Sequence, residues 1–113
     1  MNNPSAKLLV EKPAKPLVRL KDGRVIELRP MGALERLRLF KAAGQDLSSN
    51  DAWLGMAFVA CAAAAVDGIP VPFPANEAQV EALVGRLGDT ALGEMATALE
   101  EETKTMGLEH MGN

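Results

Sequence analysis

A chain of 113 residues, 48% hydrophobic and 24% charged, is sized for one globular domain with a modest core. Three Phe, one Trp and no Tyr leave Leu, Val, Met and Ala to build that core, and a single cysteine, Cys61, excludes an internal disulfide or a multi-cysteine metal site. The net charge of −3 is polarised: residues 1–50 carry ten Lys/Arg against five Asp/Glu (+5), and residues 51–113 carry two against ten (−8), a pattern that suits an acidic partner for the front half or head-to-tail stacking.

Residues 1–16 hold Pro4, Pro13 and Pro16 among lysines and read as a flexible arm. They lack the apolar h-region of a secretory signal, so the reading is a cytoplasmic protein. Leu17 to Pro30, LVRLKDGRVIELRP, nearly alternates apolar and polar residues around Asp22-Gly23, which predicts a β-hairpin with Arg19, Arg24, Glu27 and Arg29 on its wet face. Pro30 stops the second strand. A first helix follows over 33–43, with Leu34, Leu37 and Phe40 as its apolar stripe and Gly44 as its stop.

Ser48, Ser49 and Asn50 suit an N-cap, and a second helix is predicted from Asp51 to Val66. Its run WLGMAFVACAAAAV has no polar group. At fourteen residues the run is shorter than the roughly 20 that a membrane span needs, and its flanks are acidic. It reads as a helix at the centre of the domain, with part of its surface left for another protein, because Trp53, Met56, Phe58 and Val59 point in different directions around it. Asp67-Gly68 ends it in a small hairpin, and Ile69 to Pro74, with three alternating prolines, must be extended. Asn76 with Gln79 caps a third helix whose stripe is Val80, Leu83, Val84 and Leu87; Gly88 ends it. A fourth helix repeats the spacing with Leu92, Met95, Ala96 and Leu99.

The expected fold is therefore α+β and mainly α: an N-terminal hairpin, about four helices, and a Pro-rich strap between helices two and three. The domain spans residues 17–106, between the arm 1–16 and a flexible tail 107–113.

No catalytic, cofactor-binding or metal-ligating set emerges. The glycines form no phosphate loop, His110 has no partner at ligand spacing, and no Ser/His/Asp set can be assembled. Cys61 sits in an apolar run and reads as a small buried hydrophobe. The basic front half lacks aromatic interleaving, so any nucleic-acid contact would be to phosphate and unspecific. An interaction protein without enzymatic activity is the reading that remains.

The order of segments resembles the tail assembly chaperones of long-tailed, non-contractile phages and prophages. The resemblance runs over roughly residues 17–100, through DGRVIELRPMGALERLRLF and SSNDAWLGMAFVACAAAAVDGIPVPFPANEAQVEALVGRLGDTALGEMATAL, and rests most on Val66-Asp67-Gly68-Ile69-Pro70-Val71. It implies a protein of the host cytoplasm that coats the tape measure protein, keeps it soluble, recruits major tail protein during tube assembly, and is missing from the mature virion. Such a role needs an adaptable apolar surface, for which Trp53, Met56, Phe58, Phe73 and Met95 are the candidates alongside Met31. It also needs self-association, for which Arg24 and Arg29 are candidates. The competing readings are a small structural or connector protein retained in the virion, and a small nucleic-acid-binding regulator using the basic half.

Overall fold

The computed structural model describes residues 16–111, with side chains described as far as Glu101. Of the expected N-terminal arm only Pro16 falls among these residues, and Gly112 and Asn113 of the expected tail lie outside them.

Two strands open the described chain. β1 (Leu17–Arg19) and β2 (Val25–Leu28) are antiparallel, with Val18 opposite Ile26. The loop between them, residues 20–24, closes with Leu20 N donating to Arg24 O at 2.8 Å and Gly23 at φ 98°, the positive angle that an Asp-Gly hairpin turn demands. Ile26 and Leu28 point into the core while Glu27 between them does not, as the period of two requires.

The chain then leaves the sheet for two helices. α1 spans Ala33–Leu47 and is broken at Gly44, which sits at φ 80° and ψ 177°. Its first turn is held by Glu35 Oε1, which accepts from Gly32 N at 2.9 Å. α2 spans Asp51–Cys61, and the predicted cap is in place: Asn50 Oδ1 accepts from Trp53 N at 3.0 Å.

After α2 the structure corrects the sequence reading. A helix is predicted through Val66, but Ala63–Val66 is a strand, β3, buried on alternate residues between its neighbours. It pairs antiparallel with β2, Ile26 opposite Val66, with a bulge at Glu27/Leu28. The return strand β4 (Ile69–Pro70) pairs on its other side, so one antiparallel sheet runs β1-β2-β3-β4. Alanine favours helix by well under 1 kcal/mol per residue. That preference is outweighed by the ladder: Arg29 N donates to Ala62 O, Asp67 N to Val25 O and Val71 N to Ala64 O, each at 2.8 Å. The predicted small hairpin is present, with Asp67 at φ 50° and Gly68 at φ 81°, the pair of positive angles of a type I′ turn. Asp67 Oδ1 also accepts from Val25 N at 2.9 Å, so this turn grips β2 at both of Val25's backbone groups. The predicted hairpin at the N-terminus is thus the outer half of a four-stranded sheet.

The number of helices also differs from the sequence reading. Asn76 Oδ1 accepts from Gln79 N at 2.9 Å, while Gln79 Oε1 reaches one residue further out, to Ala75 N at 2.8 Å. From there a single element, α3 (Glu77–Met111), covers both helices predicted for this region. Gly88 breaks it at φ 81° and ψ 171° but adds no loop. The described residues therefore form three helices, two of them interrupted at a glycine, and the break at Gly88 falls where the third predicted helix ends.

Ile26, Leu28, Ala60, Ala62, Leu87 and Met95 form the centre of the larger core cluster, under the sheet. The stripe predicted for the third helix lies inward as expected, with Val80, Leu83 and Leu87 buried and Val84 packed against them. A second cluster of Leu39, Ala42, Ala57, Cys61 and Val80 joins the three helices. Among the described residues, no helix is long and apolar enough to cross a membrane.

Candidate protein-docking surface

The largest departure from the sequence reading lies on α1. Leu34, Leu37 and Phe40 are predicted to face the core, yet they are 54%, 64% and 46% exposed. Leu39, Ala42 and Ala43 are buried instead. At 100° per residue the exposed three span about 120° of the helix, centred nearly opposite Leu39. The cause is the size of the buried residues. Ala42 and Leu39 share a cluster with Ala57 and Cys61 of α2, and small side chains let two helices approach closely. A helix can therefore bury its alanine face and leave a leucine stripe in water. Periodicity alone cannot rank the two faces, because both recur at helical spacing.

Cations border this stripe. Arg36 lies about 40° beyond Phe40 on one side and Arg38 about 40° beyond Leu34 on the other, with Lys41 between Leu34 and Leu37. All three are exposed. At the Arg38 edge an open groove of about 350 Å³ is lined by Arg38, Lys41, Phe73, Pro74 and Ala75. The Pro-rich strap thus forms the second wall of a groove whose first wall is α1.

Met56 is also exposed, at 55%. Trp53 is half-buried, its Nε1 donating to Glu81 Oε2 at 3.1 Å, which fastens α2 to α3. Phe58 and Phe73 are half-buried against the second cluster, and Met31 packs against both core clusters. Met95 is fully buried in the first cluster and belongs to the core, not to a docking surface. Of the large apolar residues expected to leave α2 uncovered, only Met56 is open. Among the described residues six large apolar side chains are exposed: three share one face of α1, and Leu17, Met56 and Ile69 lie singly on other elements.

Two of the three arginines expected on the wet face of the hairpin, Arg24 and Arg29, are the self-association candidates, and both are tied to other parts of the fold. Arg24 pairs with Asp22 Oδ2 at 2.7 Å and donates through Nη2 to Leu87 O at 2.8 Å. It thereby covers the carbonyl end of the first stretch of α3, just where Gly88 interrupts the helix, a favourable place for a cation. The hydrogen bonds from Arg24 hold the Asp22 carboxyl below its ordinary range. Arg29 turns inward at the end of β2. Its Nη2 donates to Ala63 O at 2.9 Å and to Val71 O, and its Cζ lies 5.4 Å from the centre of the Phe73 ring. Burial pushes its pKa down. Arg29 therefore joins β3 to the strap, while Arg24, with 28% of its side chain exposed, is a surface cation already paired with Asp22.

Burial pushes the Cys61 thiol up to about 11, which leaves it protonated and unreactive at neutral pH. Among the described residues, no three His, Cys, Asp or Glu side chains gather where a metal ion could be held. No protein-family model, curated protein or solved structure matches this chain.

Proposed function

We propose that this protein is a tail assembly chaperone. It covers the tape measure protein in the host cytoplasm, keeps it soluble, and recruits major tail protein as the tube grows. The observation that carries the reading is the exposed stripe Leu34, Leu37 and Phe40 on α1. Three large apolar side chains on one helix face form the kind of surface that meets another polypeptide. The mode that fits is helix against helix, with anchors at i, i+3 and i+6. Covering a client needs no catalytic group and no cofactor.

Co-expression tests the proposal. With the tape measure protein of the same tail, the wild-type chain keeps that client in the soluble fraction, and a Leu37→Asp variant loses most of the effect. A tape measure protein that stays insoluble beside the folded wild-type chain overturns the reading. Finding the chain in purified particles favours a retained structural protein instead.

A further inference from the structure

We propose that the α1 stripe, with the groove beside it, selects amphipathic client helices whose apolar face is bordered by Asp and Glu. This rests on the reading of the chain as a protein that covers client helices, and it names the chemistry of the segments covered.

The stripe is narrow and its borders are basic. Leu34, Leu37 and Phe40 occupy about a third of the helix circumference, the width of the apolar face of an ordinary amphipathic helix. Arg36 flanks one side, Arg38 the other, and Lys41 sits within. The one acidic group in the first turns, Glu35, lies on the buried half of the helix and is committed to Gly32 N. A helix laid along the stripe therefore places its own flanking residues opposite cations on both sides. Acidic flanks are attracted there, and basic flanks are repelled.

The groove argues for a protein rather than a membrane surface. It is concave, and Phe73, Pro74 and Ala75 give it apolar depth next to Arg38 and Lys41. A side chain projecting from a helix can enter it, whereas a bilayer meets a convex surface best. The stripe is also short, about 9 Å from Leu34 to Phe40, and offers three apolar groups where a membrane-binding helix offers a long face.

The test uses the full chain and two synthetic helices of about 20 residues, locked by side-chain staples. Their apolar faces are identical; one carries Glu at the flanking positions and the other Lys. Fluorescence anisotropy at low salt is expected to show the Glu peptide binding about ten-fold more tightly, since three exposed charge pairs each contribute modestly. The advantage shrinks as salt rises. The triple variant Arg36→Glu, Arg38→Glu, Lys41→Glu is expected to reverse the preference, and Phe40→Asp to weaken both peptides. Circular dichroism checks that these surface variants stay folded.

Equal binding of the two peptides overturns the inference. So does preferential binding to vesicles of anionic phospholipid, or Leu37-dependent self-association by sedimentation with no binding of either peptide, because these assign the stripe to a membrane or to a second copy. The co-expression assay keeps the two proposals apart. A client kept soluble with no charge preference sinks this inference alone. Charge-selective peptide binding with an insoluble tape measure protein sinks the chaperone reading and leaves the docking chemistry standing.

Discussion

Arg29 shows how one side chain can matter to a fold for reasons its sequence context hides. In LVRLKDGRVIELRP it alternates with apolar residues and reads as one of several wet-face cations. The structure turns it inward, where Ala63 O of β3 and Val71 O of the strap both accept from its Nη2. Both residues are buried, so those oxygens are costly to leave unpaired. Arg29→Met keeps the aliphatic stem and removes the donors, and it is expected to destabilise the protein by about 1–3 kcal/mol. Arg29→Lys recovers part of the loss, since an ammonium supplies the charge but not the planar fork. Urea unfolding followed by circular dichroism measures both, and an unchanged midpoint for the methionine variant refutes the bracing role. The glycines are legible from sequence alone. Gly23, Gly44, Gly68 and Gly88 each mark a turn or stop in the sequence, and each has a positive φ angle, because the residue type itself reports the backbone.

Elements are legible in proportion to how strongly their own residues mark their ends. α2 begins where Asn50 can cap it, and that start is visible in the sequence. Its end is not, since Ala60, Ala62, Ala63, Ala64 and Ala65 carry no signal that tells helix from strand. The change at Ala62 is dictated by β2, a segment more than thirty residues earlier in the chain. The face of α1 was hidden for a related reason. Sequence spacing finds a leucine stripe, but only the packing of Ala42 near Ala57 reveals that the alanine side is the one buried. Two leucines two positions apart give a direct check. Leu39→Ala removes a buried side chain and is expected to cost about 2–5 kcal/mol. Leu37→Ala lies in solvent and is expected to change stability by no more than about 0.5 kcal/mol. Comparable losses for the two substitutions contradict this orientation of α1, whatever the function.

At the scale of the whole molecule, the decisive quantity under the proposed chaperone function is how little of a client one copy can cover. The stripe extends over about 9 Å, and a helix of 100 residues is about 150 Å long. Such a contact is far below the roughly 1,200–2,000 Å² that stable complexes bury, so each site binds weakly by itself. Strong coating must then come from many contacts on one client. The polarised charge helps copies line up: the front half of the chain carries a net +5 and the back half a net −8. With Arg36, Arg38 and Lys41 facing the client, the cations left for a neighbouring copy include the exposed Arg19 and Lys21. The expected outcome is a steep dependence on client length. A single acid-flanked helix binds weakly. A client carrying four such helices in tandem, with copies binding side by side, binds more tightly by a factor on the order of 10² or more. Analytical sedimentation of the chain with one-, two- and four-helix clients measures both the affinity and the number of copies bound. If affinity per copy is the same on all three clients, the copies act independently, and a coat held together by neighbour contacts is ruled out.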